Sequence, residues 1–263
     1  MNPTIRVGVG GWTFEPWRDN FYPAGLAHDR ELEYASRKLT MIEVNGTYYS
    51  SQKPATFVKW REQAPEGFVF SLKASRFATN RRVLAEAGES VQRFCGGGIA
   101  ELGPKLGPIV WQFATTKRFE AADFEAFLQT LPAASGGLPL RHVLDVRHES
   151  FRCSEYLALA RRYRAATVFT ESDDYPSFAD LTADFVYARV MRASAAWPDG
   201  ISPEAVAQVA SCAKVWREGG EPAALPRVEP PSPPAPPRDV FMLFIGGDKE
   251  KAPAAAMALL RQL

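Results

Sequence analysis

The chain is short of the residues that usually announce a metal centre or a covalent framework. Three cysteines, Cys95, Cys153 and Cys212, stand singly in 263 residues with no C-x-x-C pair, which sets aside a disulfide framework and a zinc–cysteine site. Histidine is as scarce, with His28, His142 and His148 the whole complement, too few for a metal cluster built from several His and acidic ligands. No apolar run approaches the roughly 18 residues of a membrane helix. The first residues show no charged-then-apolar leader, so the chain reads as cytoplasmic, with no membrane partner. A net charge of +1 argues against broad attraction to nucleic acid and leaves a local basic patch as the route to it. Gly8-Val9-Gly10-Gly11 lacks the spacing and the following helix of a dinucleotide fingerprint, so no such cofactor is expected. Nothing in the sequence speaks to oligomeric state.

What the chain has in quantity is alternation. In Thr40-Met41-Ile42-Glu43-Val44-Asn45, Ile42 and Val44 share one face while Glu43 and Asn45 share the other. Phe68 to Lys73, Ile109 to Phe113, Val143 to Arg147 and Val186 to Val190 repeat the pattern, each with polar groups late in the run. Strand side chains alternate with period two, so one face of each run is apolar and the other carries Lys73, Gln112, Asp145 with Arg147, or Tyr187 with Arg189. Eight strands are predicted, at 5–10, 40–45, 68–73, 108–113, 142–147, 167–171, 185–190 and 240–245. Helical spacing marks 31–38, 54–64, 121–131, 154–163, 203–216 and 253–263 between or after them. Strands alternating with helices imply a parallel sheet with right-handed crossovers, and eight of them favour closure. The expected fold is α/β, a single (β/α)8 TIM barrel over residues 1–263. In that fold the polar ends of the strands meet at one mouth, where substrates bind.

Two segments interrupt the repeat. Gly96-Gly97-Gly98 costs a helix about 1 kcal/mol per glycine relative to alanine, so a break is expected there. Residues 221–238 hold eight prolines and read as an extended surface loop inserted before the last strand. Entering that strand from its N-terminal end, the loop is expected on the face opposite the mouth. It is either a tolerated insertion or a partner-binding segment.

Specific residues also carry a family resemblance. Gly8-Val9-Gly10-Gly11-Trp12-Thr13-Phe14, Trp17-Arg18 and Phe21-Tyr22-Pro23 open the chain. Glu43 to Tyr49, Lys73-Ala74-Ser75-Arg76-Phe77, Leu106-Gly107-Pro108, Gln112-Phe113, Arg147 to Phe151 and Ala183 to Arg189 follow in order. Together they resemble the domain of unknown function 72 family, the YecE-like proteins. The resemblance implies a TIM barrel and no established activity. Where such relatives carry His-Gly after the arginine of the seventh strand, this chain has Met191-Arg192. Where they carry Phe-Asn-Asn, it has Phe244-Ile245-Gly246.

The candidate site follows from strand parity. Glu43 and Asp145 are the two carboxylates facing inward, from the second and fifth strands, and are the candidate catalytic pair. Such a pair divides acid and base duty when its environments separate the two pKa values. A gap of about 6.5–9.5 Å between them would admit an inverting hydrolysis. The alternative is an ionic layer that is only structural, with Glu43 neutralised by Lys73 and Asp145 by Arg147 or Arg189. Lys73 is either an anion-binding cation or, if desolvated, an amine nucleophile. Lys73, Arg76, Arg147, His148, Arg189 and Arg192 form a cluster suited to a phosphate or carboxylate, with about half expected to face the site. Asn45, Gln112 and Tyr187 are expected to orient a ligand, and Trp12, Tyr48 and Tyr49 to stack on it. No metal site is assigned, although a single divalent cation on Glu43, Asp145 and waters is left open. The leading reading is a hydrolase or lyase acting on an anionic or phosphorylated, nucleotide-like small molecule. Nucleic-acid binding or processing and a non-catalytic scaffold are the alternatives.

Overall fold

A computed structural model describes residues 3–233 and 235–263, which leaves Pro234 of the proline-rich segment outside the described residues. Eight parallel strands close on themselves: β1 (Ile5–Gly10), β2 (Met41–Val44), β3 (Val69–Lys73), β4 (Leu106–Gln112), β5 (His142–Asp145), β6 (Ala166–Glu171), β7 (Phe185–Val190) and β8 (Asp239–Phe244). Each pairs with its neighbours in sequence, and β1 pairs with β8 through Ile5–Val240 to Val9–Phe244 to close the ring. The eight predicted strands are therefore all present, with ends that differ by no more than two residues.

Parity sorts the side chains as period two requires. Val7, Ile42, Phe70, Trp111, Leu144 and Ala188 join the core between the barrel and its helices. Met41, Val69, Val110, Val143, Val168, Phe185, Phe241 and Leu243 fill the barrel itself. The polar ends of the strands thus rest on an apolar floor. The ladder has one irregularity, at Gly107-Pro108, where Leu106 pairs with Phe70 but Ile109 pairs with Leu72. Proline offers no ladder donor. The extra residue bulges, and the Pro108 carbonyl accepts instead from the Ser71 hydroxyl at 2.9 Å.

The longer helices are α1 (Glu31–Lys38), α2 (Pro54–Gln63), α3 (Gly88–Cys95), α4 (Ala121–Thr130), α5 (Ser154–Arg162), α6 (Pro203–Arg217) and α7 (Ala252–Leu260). The α3 helix stops before the glycine triplet, where Gly98 takes φ +100 with the Pro54 ring beneath it. No helix lies between β6 and β7; that wall is an extended strap, 172–184, whose Phe178, Ala179 and Asp180 are buried.

The proline-rich segment fills the gap that the missing helix leaves. The Ala179 amide donates to the Pro226 carbonyl at 2.8 Å, and the Asp180 carboxylate accepts from the amides of Val228 and Glu229. The second half, with Ala235 and Arg238, returns beneath the barrel beside Asp184 at the start of β7. The expected location is therefore half right. The first half climbs the outer wall as far as Pro226, which borders the same surface depression as Arg147 and His148. Among the described residues no helix is long and apolar enough to cross a membrane.

Candidate functional site at the barrel mouth

The charged strand ends meet. Arg189 on β7 sits at the centre, fully buried, and donates in opposite directions: to Asp145 Oδ2 at 2.7 Å, and to Glu43 Oε2 and Oε1 at 2.8 and 3.1 Å. The Tyr187 hydroxyl donates to Glu43 Oε2 at 2.7 Å and lies 2.9 Å from the Ser71 hydroxyl. Above this tier Lys73 Nζ stands 3.8 Å from Glu43 Oε1, with its side chain 14% exposed. Arg147 reaches both oxygens of Asp145 at 3.3 and 3.1 Å and donates to Gln112 Oε1 at 3.0 Å. The Tyr175 ring lies 4.7 Å from the Arg147 guanidinium and the Tyr48 ring 5.5 Å from the Lys73 ammonium, two cation–π contacts.

Local sequence sets these positions. Asn45 ends β2, and the chain turns at once through Gly46–Tyr49. The Thr47 hydroxyl at that turn hydrogen-bonds to the Lys73 carbonyl at 2.7 Å, which ties the end of β2 to the end of β3 and holds Tyr48 against Lys73. After β3, the Ser75 hydroxyl accepts from the Phe77 amide and starts a second short turn. That turn carries Arg76 out to the rim.

The electrostatics follow from burial and geometry. Burial alone pushes the Glu43 carboxyl up, but Arg189, Lys73 and the Tyr187 hydroxyl together outweigh it and hold it below the usual carboxylate range. Asp145 behaves alike, with Arg189 and Arg147 overcoming burial. Both carboxylates are ionised, and both are shifted the same way. Lys73 moves down instead, because burial and then the two arginines outweigh its attraction to Glu43 and Asp145. Arg189 stays charged.

A pH dependence follows for stability. Each carboxylate binds its proton more weakly folded than unfolded, so the unfolded chain takes up more protons as the medium is acidified. The stabilisation is whole above the ordinary carboxylate range, near about pH 4, and is lost as pH falls through the lower folded values. Urea midpoints measured across this range should fall steeply in acid, and Glu43→Gln should flatten the slope. A wild-type profile as flat as the variant's would contradict the assignment.

The sequence reading placed most of these side chains on the correct face but several at the wrong height. Tyr187 and Arg189 were expected to touch a ligand. They are buried, 0% and 2% exposed, in one tier with Glu43 and Asp145 at 0% and 1%. Arg76 was expected in the cluster; it lies exposed on the rim, its guanidinium over the rings of Tyr49 and Phe77. Arg192 turns outward to pair with Glu171 at 2.9 Å. His148 accepts from the Ser150 amide at 3.1 Å, so its Nδ1 is occupied in capping the turn that follows β5. Trp12 packs edge-on against Trp60 in an adjoining cleft with Asn45, Gln52 and Lys249, away from the charged ring. Lys73, Gln112, Asp145, Arg147 and Glu43 do come together.

Sequence reasoning missed Ser71, Tyr175 and Lys249. Ser71 shared the parity of Lys73 and was legible on that ground. Tyr175 lies in the helix-free strap, and Lys249 follows β8 with its ammonium 4.0 Å from the Phe14 ring; neither position carries a periodic signal. A divalent cation fits poorly here. The oxygens of Glu43 and Asp145 are taken by Arg189, Arg147 and Tyr187, and among the described residues no group of three His, Cys, Asp or Glu could hold a metal.

The molecule is thus a closed parallel (β/α)8 barrel whose mouth holds a buried ionic tier capped by two cations on its solvent side. The chain belongs to the DUF72 family, proteins of unknown function, whose family model matches residues 6–263. It is 26% identical over 150 residues to the UPF0759 protein YecE of Escherichia coli K12, covering 56% of this chain and 50% of that protein. It is 28% identical over 78 residues to the UPF0759 protein YunF of Bacillus subtilis, covering 30% of this chain and 27% of that protein. The chain spans about half the length of YecE. Among solved structures, a DUF72 family protein of Thermotoga maritima superposes with TM-score 0.73 at 19% identity over 98% of both chains. One from Enterococcus faecalis gives TM-score 0.69 at 15% identity over 99% of this chain and 95% of that one. At these identities the structural likeness is one of fold.

Proposed function

We propose that the mouth binds an anionic small molecule, phosphorylated or carboxylated, and that the barrel is an enzyme acting on it. The observation that carries this reading is the charge of the ring. Lys73, Arg147 and Arg189 face Glu43 and Asp145, an excess of one positive charge, with Arg189 sealed below and Lys73 and Arg147 on the solvent side. A guanidinium fork beside an ammonium suits a phosphate or carboxylate head. Gln112 and Tyr48 border that head. Across the mouth, half-buried Met191 and Ile245 offer an apolar wall to the rest of the ligand.

In this reading Glu43 and Asp145 hold Arg189 in place and set the field at Lys73, rather than serving as the acid–base pair that parity suggested. Their oxygens are occupied, and both pKa values are shifted in the same direction, down. Lys73 holds the head as an ammonium, and burial lowers its pKa so that this charge is lost at a lower pH than for an ordinary lysine.

Binding is tested by calorimetry with inorganic phosphate and small phosphorylated and carboxylated compounds. Lys73→Met should weaken the best of these by about 10- to 150-fold, the range for one charge-assisted hydrogen bond. Affinity should also fall with rising pH earlier than for an ordinary lysine. Equal binding by wild type and variant would overturn the reading.

A second reading, single-stranded nucleic acid laid across the rim, is favoured by one observation: Tyr49 and Phe77 are 63% and 62% exposed on either side of Arg76. The same titrations with an oligonucleotide decide it, since true phosphate contacts give a steep negative salt slope. The scaffold reading joins a purely structural ionic layer to a proline-rich loop that contacts partners; the first half of that loop packs along the barrel wall.

A further inference from the structure

Beside the mouth, at the ends of β1 and β2, lies a second cleft of about 390 Å³, lined by none of Glu43, Lys73, Asp145, Arg147 or Arg189. Four segments build it. Gly11, at φ +75, turns the chain out of β1, and Trp12, Thr13 and Phe14 follow along the cleft. Asn45 and Gly46 open the turn after β2, and Gln52 and Trp60 come from just before and within α2. Lys249, beyond β8, completes the lining, its carbonyl accepting from the Trp17 indole at 2.9 Å. The volume falls within the roughly 300–1,000 Å³ of small-molecule sites.

The lining joins two kinds of surface. Trp12, Phe14, Trp60 and Val44 are apolar, with Trp12 edge-on to Trp60 at 5.3 Å. Thr13, Asn45, Gln52 and Lys249 are the polar side chains, and no carboxylate is among them. Thr13 and Lys249 are exposed and Asn45 and Gln52 half-buried, so a ligand in the cleft can reach all four. Gln52 donates its amide to the Ser50 carbonyl and hydroxyl at 3.4 and 3.2 Å, which leaves its carbonyl oxygen to accept. The Asn45 amide nitrogen lies over Gly10, where a Cβ would stand 3.0 Å from it. The Lys249 ammonium is held 4.0 Å from the centre of the Phe14 ring. Burial lowers its pKa, and among the described residues no carboxylate stands near enough to offset the shift. The cleft therefore presents one cation without a counter-ion, three groups that pair with hydroxyls, and aromatic rings beside them.

We propose that this cleft binds a sugar acid, a polyhydroxylated ring bearing one carboxylate. The carboxylate accepts from the Lys249 ammonium, a charge-assisted contact in which one cation balances one anion. A phosphate, at about −1.5 to −2, would be left only partly neutralised by it. Hydroxyls both donate and accept, as do the Thr13 hydroxyl and the Asn45 amide, and the free oxygen of Gln52 takes a further hydroxyl hydrogen. The C–H face of the ring is apolar and packs on the half-buried Trp12 indole. A hydrocarbon acid leaves the amides without partners, and a neutral sugar leaves Lys249 without one. The site does not rest on the reading of the mouth, because the two share no charged residue.

The test titrates glucuronate, glucose and cyclohexanecarboxylate into the full chain by calorimetry and ligand-observed NMR. Glucuronate should bind saturably, and about tenfold more tightly than glucose, which lacks the carboxylate, or cyclohexanecarboxylate, which lacks the hydroxyls. Lys249→Met keeps a chain over the Phe14 ring and removes the charge; it should weaken glucuronate by about tenfold, the lower end for a charge-assisted hydrogen bond. Gln52→Leu should weaken glucuronate by about fivefold, the size of one neutral hydrogen bond, and leave cyclohexanecarboxylate unchanged. Neither side chain is buried, and circular dichroism checks that both variants fold. Lys73→Met, which alters the mouth alone, should leave glucuronate unchanged. Equal affinity for all three compounds, glucuronate binding untouched by Lys249→Met, or no saturable binding of glucuronate would each overturn the assignment. A loss on Lys73→Met with none on Lys249→Met would also overturn it, by placing the acid in the mouth.

Discussion

Arg189→Met should destabilise the protein by about 3–5 kcal/mol, the usual result of removing one partner from a buried ion pair. The expected loss is high because Arg189 serves two carboxylates, both enclosed. Methionine fills much of the volume but leaves Glu43 with only Lys73 at 3.8 Å and the Tyr187 hydroxyl, and Asp145 with only Arg147. Urea denaturation with the slope monitored gives the measurement. Adding Glu43→Gln and Asp145→Asn to the same variant should recover most of the loss, because the cost lies in the stranded charges and not in the missing side chain. A loss below about 1 kcal/mol for Arg189→Met alone would show that the ionic tier is not what joins β2, β5 and β7 across the barrel.

Gly8→Ala should be more damaging still, and for a different reason. Gly8 faces Met41 across the β1–β2 seam, and a Cβ there would stand 1.9 Å from the Met41 carbonyl oxygen. The obstacle is backbone, so relief requires β1 and β2 to separate. The loss should exceed the roughly 1–3 kcal/mol of ordinary overpacking, with the variant recovered largely unfolded or aggregated. Gly10→Ala is the control. Its Cβ would meet the Asn45 amide at 3.0 Å and Ile245 at 3.5 Å, both ends of side chains that can move. Stability should stay within about 1 kcal/mol of wild type. A Gly8→Ala protein as stable as Gly10→Ala would mean that the seam is not packed as described.

The strands were legible because period two is local. Each run carried its own alternation, and eight such runs left closure as the simplest way to protect every edge. The side of the sheet for Glu43, Lys73, Gln112, Asp145 and Arg189 could be read for the same reason. Height could not. Tyr187 and Arg189 share the parity of Lys73 and Gln112, yet they lie sealed in one tier with Glu43 and Asp145 while Lys73 and Arg147 keep some exposure. The helix-free β6–β7 wall was legible only as a gap in the helical pattern, and its filling by residues far along the chain gave no local signal.

The residue pattern alone determined the barrel, the polar mouth and the break at the glycine triplet, since each depends on neighbours within a few positions. Tertiary structure alone decided that Arg189 serves Glu43 as well as Asp145. Glu43, Asp145 and Arg189 are separated by 102 and 44 positions along the chain, and their pairing depends on which strands stand opposite across a closed ring. That pairing makes Glu43 and Asp145 counter-ions of one arginine and leaves Lys73 and Arg147 as the partly exposed cations. Coulomb energy is set by distance through space, and only the folded barrel supplies that distance.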